Sequence, residues 1–391
     1  MKRSTDRILT SHAGSLHGPE ALRDLLNNQP QGQPFDAATA ASVKSAVADV
    51  VRLQAENGVD VVNDGEYTKG ILIGWMTYAQ GRLEGLERRQ LKPGEDTGSA
   101  SIFAREAMYF GDYFKQAFAG FGNMGSFGRE AIYCTGPLVY KGQADAQRDI
   151  EYMKAAMQAT KVEEGFLTAL APGTIEHWLR NEHYKSDEEF LFALADAMHD
   201  EYKAITDAGL VVQIDDPDLP DGFQCYPQLD VPAYRKFADL RVEALNHALR
   251  DCPEDLVRLH ICWGSFHHPH TQDIPLRDLI DIVFKVKAQC YSIEAANPQH
   301  EHDWQLFEDV KLPDGKIIMP GVLGHCAPEF VEHRELVAQR LIRYANLVGR
   351  ENVIAGTDCG LSRVAHASIQ WAKFRAMAEG ARIASAKLWR K

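Results

Sequence analysis

Four side chains that could bind a metal stand at the ends of strand-like apolar runs. They are His260, Cys262, Glu294 and Cys359. Because side chains alternate along a strand, His260 and Cys262 should project to the same side. Two thiolates, an imidazole and a carboxylate form a borderline-soft set that suits zinc in tetrahedral geometry. Iron–sulfur ligation is disfavoured because only two of the cysteines are suitably placed.

Such a zinc site could activate a thiol. A thiol bound to zinc is deprotonated at neutral pH and remains nucleophilic towards carbon. Glu294 is the hardest of the four ligands and is the one we expect to yield when a substrate sulfur arrives. The alternative is structural: the spacing of His260 and Cys262 arises by chance, and Glu294 pairs with an arginine.

Eight short runs rich in β-branched residues recur along the chain, each followed by a segment with helical periodicity. The runs are 59–63, 130–134, 165–169, 210–214, 256–261, 289–293, 317–319 and 352–355. Helices are expected at 187–208 and 329–348, with Ser186 and Glu189 as a capping box and Gly209 and Gly349 as stops. This alternation predicts an α/β fold, a (β/α)8 TIM barrel, in which reactive groups lie at the C-terminal ends of the strands.

The segment 69–128 is too long for a simple connection and is rich in aromatic residues. We expect it to be an insertion near the barrel mouth within a single domain, 1–391. It could form a lid or wall over the mouth. A subunit interface or a satellite core is an equal alternative.

Composition excludes several functional classes. The chain of 391 residues is 45% hydrophobic and 25% charged, as expected for a globular protein, and has no apolar run long enough to cross a membrane. Its net charge of -13 argues against a nucleic-acid partner. Seven cysteines without a secretory signal favour reduced thiols and a cytoplasmic location.

These residues resemble the catalytic barrel of the cobalamin-independent methionine synthase family, which includes epoxyalkane:coenzyme M transferase. In that family a His-x-Cys pair, a Glu after Ser-Ile and a Cys in an Asp-Cys-Gly turn bind zinc. The matching residues here are His260, Cys262, Glu294 and Cys359. The resemblance extends over most of the chain and implies a zinc cofactor, Zn2+.

The resemblance also implies a site for a thiol amino acid. The family's early Gly-Ser, whose backbone holds the substrate carboxylate, matches Gly14 and Ser15. Its Gly-Glu and Ile-Asp-x-Pro motifs match Glu66 and Asp215, which would face the substrate ammonium. Taken alone, acidic residues at loop starts are more often helix caps or solvated groups. Thr135-Gly-Pro137 also matches a family motif and should shape the backbone.

Three departures from the family pattern bear on the reaction. Full-length methionine synthase has a second barrel that helps to bind folate, and this chain has room for one, so folate is not established as the donor. His325 lies one residue from the position of the family's acid-like histidine, which Cys326 occupies. Trp263, after the zinc cysteine, matches the alkyltransferase branch, and we include it among the substrate-binding residues.

The histidine-rich segment 266–270 either binds a second metal or forms a polar loop over the barrel mouth, and its spacing favours the loop.

The sequence therefore predicts a zinc-dependent methyl- or alkyltransferase. Glu66, Asp215 and His325 would be its catalytic groups, and a small-molecule thiol and an alkyl donor its partners. Epoxide opening or carbon–sulfur lysis on another thiol is one alternative, and a non-catalytic zinc or thiol carrier is another. A homo-oligomer is compatible with the sequence, which does not specify one.

Overall fold

Short buried strands alternate with helices in the structure, a computed structural model that describes residues 1–27, 34–69, 78–92, 102–117, 130–264, 268–326 and 328–389. The strands are β1 (Leu9–Thr10), β2 (Val61–Val62), β3 (Leu83–Gln90), β4 (Glu130–Tyr140), β5 (Glu164–Leu170), β6 (Leu179–Asn181), β7 (Val211–Asp215), β8 (Val257–His260), β9 (Cys290–Ile293), β10 (Ile317–Leu323) and β11 (Ile354–Thr357). The α-helices span Glu20–Asn27, Ala37–Glu56, Ala104–Ala107, Gly111–Ala117, Gln143–Ala159, Pro172–His177, Asp187–Asp207, Asp218–Cys225, Val231–Ala248, Ile280–Val283, Arg334–Val348 and Ala367–Trp389. Short 3-10 helices lie at Glu254–Leu256, Leu276–Asp278, Glu301–Glu308, Arg350–Asn352 and Leu361–Arg363.

Eight parallel strands form a nearly closed barrel in the order β1-β11-β10-β9-β8-β7-β5-β2. The two end strands approach each other where the Asp60 N–H donates a hydrogen bond to the Thr10 carbonyl at 3.0 Å. The strands are buried throughout, as expected for parallel strands covered by helices. The predicted TIM barrel is therefore confirmed, and the strand ends converge at one face.

One of the eight predicted barrel strands is wrong. The run 130–134 belongs to β4, which lies outside the barrel in a three-stranded sheet with β3 and β6. The first barrel strand is instead β1, which pairs Leu9 with Ile354 of β11. Sequence periodicity missed β1 because polar residues flank its short apolar stretch, whereas β2, which is equally short, lies in a run of valines. The other seven runs overlap the strands β2, β5 and β7 to β11.

The two predicted helices form with one shifted boundary. The helix Asp187–Asp207 begins at Ser186, whose Oγ accepts a hydrogen bond from the Glu189 N–H at 3.1 Å. The carboxylate of Glu189 accepts from the Lys185 N–H and not from that of Ser186, so half of the capping box forms. The helix predicted from residue 329 begins at Arg334, where the His333 ring accepts from the Glu335 N–H at 3.3 Å.

The described part of the insertion lies against the barrel mouth. Arg105 donates hydrogen bonds to the backbone carbonyls of Phe223, Tyr226 and Leu229, which follow β7. Phe103 and Phe114 pack with Ile102 and Cys225 in a small apolar cluster of their own. Part of the segment therefore forms a small satellite core, which was one of the alternatives. The aromatic residues Phe118, Phe121 and Phe127 lie outside the described residues.

None of the helices within the described ranges is both long enough and apolar enough to cross a membrane.

Candidate active site

The ends of β8 and β11 bring three of the predicted zinc ligands together. His260 is the last residue of β8, Cys262 follows two positions later, and Cys359 lies in the turn after β11. One ligand atom from each lies within 4.8 Å of the other two. Parallel strands whose ends meet at one barrel face account for this convergence of residues a hundred positions apart.

The imidazole of His260 is oriented for binding through one nitrogen. Its Nδ1 lies 3.1 Å from Ser292 Oγ on the neighbouring strand β9. Its Nε2 is buried and, among the residues that the structure describes, has no nitrogen or oxygen partner. A buried polar atom without a partner is costly unless a ligand meets it. A nitrogen fixed by a neighbour on one side and open on the other is the arrangement that metal-binding histidines require.

Hydrogen bonds among the three side chains also shift their pKa values. Hydrogen bonding to Cys262 lowers the pKa of the Cys359 thiol well below its usual value despite burial, and His260 contributes in the same direction. The same hydrogen bond, together with burial, raises the pKa of Cys262. Burial alone would lower the pKa of His260, but Cys359 and Asp215 outweigh it and raise the pKa. The three groups therefore stabilise the thiolate form of Cys359 relative to an isolated buried thiol.

Glu294, the fourth predicted ligand, lies next to this trio but belongs to a different group of potential metal-binding side chains. Its Oε1 accepts the backbone N–H of Trp263 at 2.8 Å, and its Oε2 accepts from the Asn297 amide at 2.9 Å. One of its oxygens lies within 4.8 Å of ligand atoms of His325 and Asp358. The structure thus brings His260, Cys262 and Cys359 together, and Glu294 adjoins them as a hydrogen-bonded carboxylate.

His325 follows β10 and is fully buried. Its Nε2 lies 3.4 Å from Cys326 Sγ. Asp358 is the aspartate of the Asp-Cys-Gly turn. It accepts hydrogen bonds from the N–H groups of Ala295 and Ala296 at 2.7 and 2.9 Å. It therefore ties the loop after β9 to the turn that carries Cys359. Burial and the nearby Glu294 raise the pKa of Asp358 well above its usual value.

The second predicted group, Gly14, Glu66 and Asp215, also assembles at the mouth. Gly14 has a φ of 133°, and a side chain there would collide with the Glu66 carboxylate. Glu66 itself has a φ of 62°, a strained value for a residue with a side chain. Asp215 ends β7 directly beside His260, its partner in the sheet register. The carboxylates and the group of His260, Cys262 and Cys359 therefore lie at the same end of the barrel.

Burial raises the pKa values of both carboxyl groups. Burial is the main cause of the increase for Asp215, to about 7. For Glu66 the proximity of Asp215 adds to burial and raises the pKa well above its usual value. Lys69 opposes both shifts, and its ammonium donates a hydrogen bond to the Thr168 carbonyl. Sequence reasoning missed Lys69, because a lysine three residues after a glutamate carries no distinguishing pattern.

Ser15 and Trp263 play parts that the sequence did not show. Ser15 Oγ lies 2.9 Å from Ser362 Oγ, and the Ser15 carbonyl accepts the Ser362 N–H, which joins the Gly14 turn to the loop of Cys359. The indole of Trp263 is fully buried, stacks on His300 with ring centroids 3.7 Å apart and donates to the Ile274 carbonyl. A substrate contact by Trp263 remains a prediction.

The histidine-rich segment is partly described, from His268 onward. Asp273 accepts hydrogen bonds from the rings of His270 and His300, both at 2.9 Å. Burial opposes both shifts. The two histidines nevertheless lower the pKa of Asp273, and Asp273 raises the pKa of His300 to about 10. The described histidines therefore brace the loop beneath Trp263, in line with the preferred interpretation of this segment as a polar loop.

The sequence of this chain is similar to those of known proteins. The sequence model of the cobalamin-independent synthase catalytic domain matches residues 103–382. The chain is similar to a methionine synthase of Saccharolobus islandicus, with 24% identity over 98% of this chain and 96% of that protein. It is also similar to the 5-methyltetrahydropteroyltriglutamate–homocysteine methyltransferase of Thermotoga petrophila, with 23% identity over 90% of this chain and 41% of the longer protein.

The fold has solved counterparts. A B12-independent methionine synthase from a Shewanella species, in complex with selenomethionine, superposes with a TM-score of 0.72 at 20% identity, covering 98% of this chain and all of that one. A putative vitamin-B12-independent methionine synthase from Listeria monocytogenes gives 0.64 at 18% identity and covers 96% of this chain and 98% of its own. Because the family model spans most of the chain, this protein belongs to the cobalamin-independent synthase family, of which it carries the catalytic domain.

Proposed function

We propose that this protein transfers a methyl or other small alkyl group to the sulfur of homocysteine or a similar thiol amino acid, with zinc as its cofactor. The observation that carries the proposal is the meeting of His260, Cys262 and Cys359 within 4.8 Å beside the buried carboxylates of Glu66 and Asp215. The similar proteins named as methionine synthase and homocysteine methyltransferase support the same chemistry.

The residues fit a zinc ion. Two sulfurs and an imidazole nitrogen without another polar partner form a borderline-soft donor set, and Glu294 adjoins it as the proposed fourth and exchangeable ligand. When bound, zinc lowers the pKa of a coordinated thiol so that its sulfur is nucleophilic at neutral pH. Trp263 N–H and Asn297 hold the carboxylate of Glu294 on both oxygens, so its hydrogen bonds would be satisfied even without a bond to a metal.

The charged groups at the mouth favour an amino-acid thiol. Two buried carboxylates face one buried ammonium, that of Lys69, so the ammonium of an incoming substrate would restore the charge balance. The turn at Gly14 and Ser15 would receive the substrate carboxylate. The sulfonate of an anionic thiol would instead be repelled by these two carboxylates. This argument ranks the epoxide-opening reaction on a sulfonated thiol below methyl transfer to homocysteine.

His325 is the proposed acid. It is buried beside Glu294 and Asp358 and interacts electrostatically with Cys359, so a proton held on its ring would lie close to the reacting sulfur. Donating that proton to the leaving group would make departure easier. In this proposal residues 1–391 form one domain, whose insertion at 69–128 walls the mouth. The donor is left open, because folate binding in full-length enzymes involves a second barrel.

Zinc-edge absorption with candidate thiols tests the proposal. Adding homocysteine to the zinc-loaded protein should add one sulfur to the zinc neighbours at about 2.3 Å, beyond the two that Cys262 and Cys359 supply. Adding 2-mercaptoethanesulfonate should leave the spectrum unchanged. The Asp215→Asn protein should lose the response to homocysteine at the same concentration while it retains zinc. A protein that turns over homocysteine after complete zinc removal would refute the proposal.

A further inference from the structure

A second group of metal-binding side chains lies outside the site just described. It consists of His177, Asp218 and Cys225, whose ligand atoms all lie within 4.8 Å of one another. The three come from two short helices, Pro172–His177 after β5 and Asp218–Cys225 after β7. All three side chains are buried. None of them belongs to the proposed zinc site.

The distance between His177 and Cys225 matches that between two ligands of one metal ion. Cys225 Sγ lies 3.7 Å from His177 Nε2. A tetrahedral zinc with bonds of about 2.3 Å to sulfur and 2.0–2.1 Å to nitrogen places those two atoms about 3.6 Å apart. On the other side of the ring, His177 Nδ1 lies 3.3 Å from Asp218 Oδ1. A carboxylate that holds one ring nitrogen while the other faces a metal is a recurrent arrangement at zinc sites.

The surroundings carry an excess of buried negative charge. Asp216, Asp218 and Asp221 are all buried, and burial raises the pKa of the first two to about 7 and that of Asp221 well above its usual value. Arg241, which interacts with Asp216 and Asp218, is itself paired with Glu176.

Asp221 carries the clearest sign of a missing partner. Its Oδ1 is buried and has no hydrogen-bond partner among the described residues. Its carboxylate also interacts electrostatically with the Cys225 thiol. A cation between these groups would satisfy both.

We infer that His177 Nε2 and Cys225 Sγ, with the carboxylate of Asp221, form a second binding site for a borderline divalent cation such as zinc, and that Asp218 orients the imidazole from its Nδ1 side. The site is closed, because Ile102, Phe103 and Phe114 pack with Cys225 and cover it from the insertion. An ion enclosed in this way would stabilise the fold and would not act on a substrate. The ion would join the loops after β5 and β7 to each other beneath the insertion.

Metal counting on single-cysteine variants tests the inference. After loading with zinc and removal of unbound metal, the full chain should hold two zinc ions. Cys225→Ser and Cys262→Ser should hold one each, since each variant loses a different site. The matched control is Cys252→Ser, which removes a half-buried thiol outside both groups and should retain two. Retention of the full zinc content by Cys225→Ser would overturn the inference.

Cobalt absorption gives an independent measurement that does not depend on the folding of Cys225→Ser. In the Cys262→Ser/Cys359→Ser protein the proposed catalytic site has no sulfur left. Added cobalt should still give thiolate-to-cobalt charge transfer and a tetrahedral ligand-field spectrum, which Cys225 supplies. Absence of charge transfer in the folded double variant would overturn the inference, whether or not the catalytic site binds zinc in the parent protein.

Discussion

The protein buries two clusters of charged side chains, and the two differ in how completely their polar atoms are paired. The mouth cluster contains Glu66, Lys69, Asp215 and His260. The arginine cluster contains Arg82, Asp149 and Glu201, and lies between the small sheet and the helices Gln143–Ala159 and Asp187–Asp207. In both clusters the side chains are almost inaccessible to solvent.

In the arginine cluster every carboxylate oxygen has a partner. Asp149 accepts from Arg82 at 2.6 Å and from Arg148 at 2.9 Å. Glu201 accepts from Arg82 at 3.0 Å and from the hydroxyls of Tyr78 and Tyr140 at 3.1 and 2.9 Å. Such a cluster is complete without a ligand.

The mouth cluster is not complete in this sense. His260 Nε2 has no nitrogen or oxygen partner among the described residues, Gln213 Oε1 has no hydrogen-bond partner among them, and the carboxyl groups of Glu66 and Asp215 repel each other. Two buried clusters of similar composition thus differ in the one property that marks a binding site: unpaired atoms and unbalanced charge identify the place that a ligand fills. The loss of a polar group should therefore lower stability in the arginine cluster and lower activity or substrate binding in the mouth cluster.

The largest expected effect is on catalysis at the mouth. Cys262→Ser should lower kcat/KM for methyl or alkyl transfer to homocysteine by about a thousand-fold or more, equivalent to about 4 kcal/mol, because it removes a proposed zinc ligand. Steady-state kinetics together with metal analysis measure this loss. The control is Cys252→Ser, for which we expect parental kinetics. Parental activity in a zinc-free Cys262→Ser protein would contradict the mechanism.

The arginine cluster should respond in stability. Arg82→Met leaves two buried carboxylates without their main partner and should lower the free energy of unfolding by about 3–5 kcal/mol. Urea unfolding of the metal-free protein measures the change. The matched control is Arg88→Met, which removes an exposed arginine paired with Glu130 and should cost less than about 1 kcal/mol. Equal stability of the two variants would show that the cluster is not the structural element we describe.

The pH dependence of stability should also depend on Arg82. Burial raises the pKa of Asp149, but Arg82 and Arg148 outweigh burial and hold it below its usual value of 3.8. A depressed folded-state pKa contributes stability that is present above pH 3.8 and is lost as the pH falls through the folded value. Arg82→Met should weaken that acid sensitivity, because a buried Asp149 without its main partner titrates at a higher pH. Unfolding free energies between about pH 3 and 6 measure the difference.

Removal of charge from the mouth cluster should have the opposite effect on stability. Asp215→Asn should raise the KM for homocysteine about 10- to 100-fold, since it removes one of two groups proposed to bind the ammonium. The same variant should be as stable as the parent or more stable, because it relieves the repulsion between two buried carboxylates. Kinetics and urea unfolding on the same preparation provide both values. A destabilised variant with parental KM would place Asp215 among the structural charges.

The two clusters also show which features a sequence can disclose. The grouping of His260, Cys262 and Cys359 was predicted because each lies at or just after the end of a strand, and closure of the barrel brings strand ends together. Glu66 and Asp215 were found through family motifs. Lys69 and the arginine cluster were missed because their members come from separate elements and share no spacing. Strand β1 was missed because polar residues flank its short apolar stretch, whereas the equally short β2 lies in a run of valines. Strand β4 has strand character in an inserted sheet that local sequence does not distinguish from the barrel.

The smallest expected effect tests how much each hydrogen bond of the arginine cluster contributes. Tyr140→Phe removes one donor to Glu201 and leaves the carboxylate with Arg82 and Tyr78, so the loss of stability should be about 1 kcal/mol. Its control is Tyr133→Phe, whose hydroxyl accepts from Arg180 at the half-buried face of the small sheet. A loss for Tyr140→Phe approaching that for Arg82→Met would mean that Glu201 depends on every partner at once. A loss near zero would contradict the expectation, because it would mean that Arg82 and Tyr78, which both contact Oε1, are sufficient for Glu201 without the donor to Oε2.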